Sequence, residues 1–126
     1  MLTIDEMLGN QARLQKRFEG VWEGDSPDTA KNHLLYAVEE IGEVSAIMKK
    51  LGVQAVLHDP QVRYAFCEEM GDVFMYLCDV LQCLSITPEE FAAAYRAKMV
   101  RNFGRDFEAE HEVFRQNTTE NAPEQA

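Results

Sequence analysis

Two pairs of carboxylates, each with its members three residues apart, constrain the fold of this chain more than any other feature. Glu40 and Glu43 form the first pair, and Glu69 and Asp72 form the second. Residues three apart on a helix lie on the same face, one turn from each other. Neighbouring residues continue the same spacing of three and four, which is typical of a face that packs against another helix. A buried carboxylate is costly unless it is paired or bound to a metal, so the four acids predict a shared divalent-cation site.

The type of cation follows from the ligands. A single acidic pair would be a weak indication, because acids decorate many solvated helix faces. Four carboxylates give an all-oxygen set that suits Mg²⁺, with Mn²⁺ as the alternative, rather than zinc. Glu39 and Glu68 precede the pairs and point about a quarter-turn away from them. We therefore expect both to lie outside the set of metal ligands or to face solvent, where either can act as a base for a metal-bound water. Asp79 lies two turns beyond Asp72 and is a further candidate ligand.

Helix start and stop signals divide the chain, and no strand pattern appears. The predicted helices begin at Thr3-Ile4-Asp5-Glu6 and run to about residue 22, at Ser26-Pro27 up to Gly52, at Asp59-Pro60 through about residue 85, and at Thr87-Pro88 up to Gly104. Residues 53–58 are expected to form a loop or a single helical turn, and residues 105–115 a short amphipathic helix. We therefore predict one all-α domain over residues 1–115, a four- to five-helix antiparallel bundle. The polar residues 116–126 are expected to be a disordered tail.

Length and charge exclude several classes of protein. A chain of 126 residues is large enough for one core but not for two. Its formal charge of −10 argues against a nucleic-acid-binding protein, although cations can reverse the local field around a small phosphorylated ligand. No signal peptide and no apolar run of bilayer-spanning length is recognised. We expect a cytoplasmic protein that does not bind membranes.

The positions of cysteine and histidine in the sequence suggest no further site. The three cysteines, Cys67, Cys78 and Cys83, fall on one predicted helix without disulfide or zinc-ligand spacing, which favours buried reduced thiols. His33 and His58 stand near helix ends without an evident Ser or Cys partner, and we predict surface positions for both. The chain has only one E-x-x-H sequence, where a di-iron bundle needs two, and it has no phosphate-binding loop.

The predicted helix over residues 60–85 is the most apolar in the chain. Its apolar arc is wide enough to contact more than one neighbour, either within a bundle or across a subunit interface. Large apolar patches are uncommon on monomers. We therefore expect a homodimer or a homotetramer whose interface includes this helix.

Three short motifs, taken in order, resemble a known family. Glu-Glu-Ile-Gly-Glu at residues 39–43 is followed, after about 25 residues, by Glu-Glu-Met-Gly-Asp at residues 68–72, and then by Lys-Met-Val-Arg-Asn at residues 98–102. This order is similar to that of the MazG-like all-α nucleoside triphosphate pyrophosphohydrolases, which include dimeric dUTPases and dCTP pyrophosphatases. The resemblance covers residues from about 30 to 107. It implies Mg²⁺-dependent hydrolysis of a nucleoside triphosphate to the monophosphate and pyrophosphate, in nucleotide-pool sanitation.

The resemblance also implies roles for individual residues. The positions that match the family's metal ligands, and so its catalytic centre, are Glu40, Glu43, Glu69 and Asp72. Those that match its nucleotide- and phosphate-contacting residues are Tyr76, Lys98 and Asn102. Some members carry a base-stacking tryptophan about two turns after the first acidic pair, where this chain has Lys49-Lys50. Trp22, the only tryptophan, is a candidate for stacking on the base, and a core or interface position is the alternative.

The sequence leaves open two hypotheses from other functional classes. The first is a non-enzymatic helical dimerisation module whose acids keep it soluble. The second is a helical metal-binding regulator without turnover. The preferred base and sugar are left open by the sequence in every case.

Overall fold

The computed structural model describes residues 1–120. The regular secondary-structure elements in this range are all helices. The α-helices are α1 (Ile4–Arg17), α2 (Ala30–Leu51), α3 (Val53–His58), α4 (Pro60–Cys83), α5 (Pro88–Phe103) and α6 (Phe107–Glu120), with a short 3₁₀-helix at Pro27–Thr29. The predicted all-α class is confirmed. The described range holds six α-helices because residues 53–58, for which a loop or a single turn was predicted, form a helix of their own. The antiparallel bundle arrangement stays a prediction.

Local capping explains where α1 and α4 begin. The backbone N–H of Glu6 donates to the Thr3 hydroxyl at 3.1 Å, and the N–H of Thr3 donates to the Glu6 carboxylate at 2.9 Å, which completes the predicted capping box. The Asp59 carboxylate accepts from the N–H of Gln61 at 2.9 Å, and Pro60 occupies the first helical position. These starts depend only on neighbouring residues, which is why the sequence predicted them.

The end of α1 differs from the prediction. The helix stops at Arg17 rather than near residue 22. Gly20 has a φ of +83°, in the left-handed region that glycine adopts without strain. The N–H of Trp22 donates to the carbonyl of Phe18 at 2.9 Å, which closes a turn over these residues. Phe18 and Val21 therefore lie beyond the helix, although their spacing continues that of the apolar residues Ile4, Leu8 and Leu14.

The chain divides into two compact units, Met1–Phe91 and a second that begins at Ala92. In the first unit α4 packs against α1, α2 and α3, and its contact with α2 is the most extensive. The buried apolar side chains of this unit are those of Leu8, Ala37, Val44, Val56, Val73, Cys78 and Cys83. In the second unit, Arg105 forms an ion pair with Glu110. The α2–α4 pair is the part of the fold that carries the predicted acids.

The C-terminal part of the chain departs from the predicted boundary. Helix α6 extends from Phe107 to Glu120, so residues 116–120, which we predicted to be part of a disordered tail, are helical. The rest of the predicted tail, residues 121–126, lies outside the described residues. Within residues 1–120 no single helix is long and apolar enough to cross a membrane, and α4 and α5 meet those criteria only together, as a bent pair.

Apolar side chains remain exposed on both of the principal helices. On α2 the exposed set is Leu34, Leu35, Val38, Ile41 and Met48, and on α4 it is Phe74, Met75 and Leu77. Val38 and Ile41, which belong to the broad apolar face of α2, are 57% and 53% exposed. An apolar surface of this extent agrees with the predicted assembly of subunits, which stays a prediction.

Candidate functional site

Three of the four predicted metal ligands converge where α2 packs on α4. One carboxylate oxygen from each of Glu40, Glu69 and Asp72 lies within 4.8 Å of the others. Glu69 and Asp72 stand one turn apart on α4, and Glu40 reaches them from α2. The spacing of the acids along each helix therefore did identify the faces that meet.

The fourth acid, Glu43, is not part of this group and is exposed. Three residues correspond to about 300° of helix rotation, so Glu43 lies about 60° around α2 from Glu40. It remains close enough for its charge to contribute to the raised pKa of Glu40, as the smallest of several causes. Glu39 and Glu68 are exposed, as predicted.

Mutual repulsion in the acidic group shows most clearly at Glu40. Burial is the main cause that raises the pKa of Glu40, and the nearby charge of Asp72 and a hydrogen bond with Glu69 raise it further. Like charges at this separation disfavour simultaneous ionisation. A bound divalent cation would reverse that balance, and three carboxylate oxygens are a suitable set for a hard cation such as Mg²⁺.

A cavity of about 440 Å³ adjoins the acidic group. Glu40 and Asp72 lie in its wall, together with the aromatic side chains of Trp22, Tyr36 and Tyr76. Pockets of this size with aromatic walls and a few polar groups suit small organic ligands. The acids therefore border a space whose size suits a small organic ligand.

The aromatic residues of the cavity are held by specific contacts. Trp22 stacks on Phe18, with ring centroids 4.5 Å apart and an interplanar angle of 20°. The Tyr36 hydroxyl donates to the Glu23 carboxylate at 2.9 Å. Burial raises the pKa of Tyr76, and the charges of Glu40 and Asp72 add to the effect. Of the two positions predicted for Trp22, the structure places the side chain, 41% exposed, in the cavity wall.

Lys98 and Asn102 belong to the second unit. Lys98 is exposed and Asn102 is half-buried. The pKa of Glu110 is lowered chiefly by its hydrogen bond with Arg105, and the charge of Lys98 lowers it further. The assignment of Lys98 and Asn102 to the phosphates stays a prediction.

Comparisons with protein families, with characterised proteins and with solved structures gave no match. The similarity to MazG-like pyrophosphohydrolases therefore rests on the motifs in the sequence.

A second polar cluster surrounds Asp79, which the sequence offered only as an additional ligand for the acids. Asp79 is 1% exposed and is not part of the carboxylate group. The side-chain amides of Gln11 and Gln15 each donate to one of its oxygens at 3.1 Å. Two hydrogen bonds from α1 thus fix this carboxylate near the C-terminal end of α4. Asp79 therefore does not lie with the acids of the predicted metal site.

The prediction that His33 is a surface residue is wrong, because its side chain is only 3% exposed. Its Nε2 atom lies 3.3 Å from Asp25 Oδ1, and its Nδ1 atom lies 3.8 Å from Asp79 Oδ2. The residue completes a series with Ala37, Glu40 and Val44 at spacings of four, three and four. That series was a signal for the packed face of α2. His58 is exposed, as predicted.

The same cluster includes one cysteine and an unusual aspartate. Cys78 and Cys83 are buried as predicted, but Cys67 is exposed; all three thiols are free. Burial, and next the charge of Asp79, raise the pKa of Asp25 to about 7. The Asp25, His33 and Cys83 side chains form a compact group whose donor atoms all lie within 4.8 Å of one another.

Proposed function

We propose that this protein is a Mg²⁺-dependent nucleoside triphosphate pyrophosphohydrolase that releases pyrophosphate and a nucleoside monophosphate. The observation that carries the proposal is the convergence of Glu40, Glu69 and Asp72 at the wall of a cavity with three aromatic side chains. The order of the acidic and basic motifs supports the same activity. Nucleotide-pool sanitation in the cytoplasm, by a homodimer or homotetramer, is the setting that we propose for it.

The chain's own residues divide the task. Glu40, Glu69 and Asp72 would hold the cation, which when bound supplies positive charge at the triphosphate. Mn²⁺ suits the same oxygen donors. Trp22 provides an aromatic face on which a base can stack, and Tyr76 lines the same cavity, where the charges of Glu40 and Asp72 raise its pKa. Lys98 adds a positive charge and Asn102 an amide at the phosphates in this proposal.

The decisive experiment measures pyrophosphate release from a panel of ribo- and deoxyribonucleoside triphosphates, with and without Mg²⁺. Wild-type protein should hydrolyse at least one of them only when Mg²⁺ is present. Glu69→Ala should abolish release while the helical circular-dichroism signal is kept. Glu89→Gln removes an exposed acid at the start of α5 and should leave turnover unchanged. Normal turnover by the Glu69 variant would show that the metal-site mechanism is wrong.

The alternative is a helical dimerisation module or metal-binding regulator without turnover. The exposed apolar side chains of α2 and α4 favour self-association, and a regulator would use the same acids to bind a cation. A stable dimer that hydrolyses none of the nucleotides in the panel would support this alternative over the enzyme.

A further inference from the structure

Asp25, His33 and Cys83 bring three different metal-binding groups together away from the carboxylates of the proposed active site. They come from separate segments: the loop before the 3₁₀-helix, the first turn of α2 and the last residue of α4. A carboxylate oxygen, an imidazole nitrogen and the thiol sulfur all lie within 4.8 Å of one another. We propose that these three residues bind a zinc ion. The proposal does not depend on the pyrophosphohydrolase activity.

Two of the three separations between the donor atoms are close to those of a tetrahedral zinc site. His33 Nε2 lies 3.3 Å from Asp25 Oδ1, and Cys83 Sγ lies 3.7 Å from the same oxygen. Zinc binds N and O ligands at about 2.0–2.1 Å and S at about 2.3 Å, which places neighbouring ligand atoms about 3.3–3.6 Å apart. An ion fits among these atoms with small movements of the side chains.

The chemistry of the donors selects zinc over the cation of the carboxylate group. Thiolate and imidazole suit Zn²⁺, whereas Mg²⁺ and Mn²⁺ prefer oxygen ligands. Cys83 and His33 are 1% and 3% exposed, so both donors lie inside the protein. The second oxygen of Asp25, Oδ2, is also buried and has no hydrogen-bond partner within residues 1–120. With three protein ligands, the fourth position of a tetrahedral zinc site is taken by a water molecule.

The surroundings of His33 include a carboxylate that can accept a hydrogen bond from the ring nitrogen that does not bind the metal. When one ring nitrogen binds a metal, the other ordinarily donates its N–H to a carboxylate or a carbonyl. His33 Nδ1 is buried, finds no hydrogen-bond partner in the described part of the chain, and lies 3.8 Å from Asp79 Oδ2. Asp79 is itself fixed by the amides of Gln11 and Gln15. A small rotation of the imidazole would complete a carboxylate–histidine–zinc arrangement.

A route to the site and a structural consequence follow from its position. Asp25 and Gly24 line a second cavity, of about 780 Å³, through which an ion can reach the cluster. The bound ion would tie the loop that carries Trp22 to both α2 and α4. Because a preformed site rarely exists in an unfolded chain, zinc binding would add directly to the stability of the fold.

The rival interpretation is a metal-free polar network of the same residues. In that network Cys83 Sγ lies 3.5 Å from the Thr29 hydroxyl, and His33 Nε2 lies 3.4 Å from the Gly24 carbonyl. The histidine contact is long for a hydrogen bond between nitrogen and oxygen, and Asp25 Oδ2 and His33 Nδ1 have no hydrogen-bond partner across residues 1–120. Buried polar atoms are normally satisfied, so the network alone accounts less well for the arrangement than a bound ion does.

The test uses the full chain, kept reduced, freed of metal with a chelator and then titrated with Zn²⁺ or Co²⁺ alone. We expect one equivalent of tightly bound zinc by elemental analysis. The cobalt form should show a near-ultraviolet thiolate-to-cobalt charge-transfer band and intense visible bands typical of tetrahedral coordination. Because the cobalt spectrum is measured on wild-type protein, it decides the question even if a variant fails to fold. Absence of stoichiometric zinc, or an octahedral cobalt spectrum without thiolate, would overturn the proposal.

Variants then assign the ligands. Cys83→Ser should abolish the charge-transfer band, whereas Cys78→Ser, which changes another buried cysteine of α4, should keep it. Asp79→Asn should weaken zinc affinity by about 10- to 100-fold without changing the spectrum, since it alters only the hydrogen-bond partner of His33 and no metal ligand. A Cys83→Ser protein that keeps the band would refute the assignment. Glu69→Ala should lose pyrophosphate release and retain zinc, which separates this proposal from the proposed function.

Discussion

Replacing Asp72 by asparagine should stabilise the metal-free protein and remove its stabilisation by Mg²⁺. The substitution keeps the size of the side chain and removes one of three negative charges whose oxygens lie within 4.8 Å of one another. Folding brings Glu40 of α2 to the acids of α4, so the repulsion between the helices is absent from the unfolded chain. The change therefore relieves a cost that only the folded state bears.

The size of the effect follows from the separation of the charges. Two unit charges 4.8 Å apart repel by about 0.9 kcal/mol at the dielectric constant of water and by about 3.5 kcal/mol at an effective value of 20. The acids are only partly buried and are screened by salt, so the lower part of this range applies. We expect a gain of about 1–2 kcal/mol in the free energy of unfolding. For a chain of this length that corresponds to roughly 3–10 °C in Tm.

Thermal unfolding, followed by circular dichroism at low ionic strength, measures both effects. Wild-type protein should gain about 2.7 kcal/mol when Mg²⁺ is present at 100 times its Kd, and Asp72→Asn should gain far less. Glu89→Gln, the matched control, removes the same charge from an exposed position in the first turn of α5. Because acids in a first turn stabilise the helix, this control should not raise Tm.

Two results would refute the reasoning. A Tm for metal-free Asp72→Asn below that of wild type would mean that the carboxylate contributes stabilising interactions that outweigh repulsion. An undiminished response of the variant to Mg²⁺ would mean that the cation binds elsewhere.

Three further outcomes are expected. Lys98→Ala should lower kcat/KM for the hydrolysed nucleotide without changing the Mg²⁺-dependent shift in Tm, since the metal ligands are intact; a lost shift would place Lys98 at the cation. Trp22→Ala should raise KM by about tenfold, because stacking on a base is worth roughly 1–3 kcal/mol and 1.4 kcal/mol is a factor of ten; an unchanged KM would remove Trp22 from the binding site. Val38→Asp places a charge on the exposed apolar face of α2 and should convert the oligomer into a monomer in sedimentation velocity; a monomeric wild type would contradict the predicted assembly.

Sequence reasoning succeeded for features that depend on nearby residues. Thr3 and Asp59 cap helices through backbone groups two or three residues away, and the spacing of Glu69 and Asp72 places both on one face of α4. Convergence with Glu40 required only that two such faces pack together. These features follow from helical periodicity and local hydrogen bonding.

The errors at His33 and Asp79 involve partners that are distant along the chain. His33 is buried because Asp25 and Asp79 lie on either side of its ring, and Asp79 is 46 positions further along the sequence. Asp79 was misassigned because its hydrogen-bond donors, Gln11 and Gln15, come from α1. A periodic pattern identifies a packed face, but it does not identify which polar side chains another helix brings to that face.

The position of Trp22 gives this protein an optical property of practical use. It is the only tryptophan in the chain, so the intrinsic tryptophan emission of the whole molecule arises from one wall of the cavity. Its indole ring stacks on Phe18 and is partly open to solvent, which makes the emission wavelength and intensity sensitive to whatever enters that space. Ligand binding at the cavity can thus be followed in unlabelled protein through the emission of a single indole.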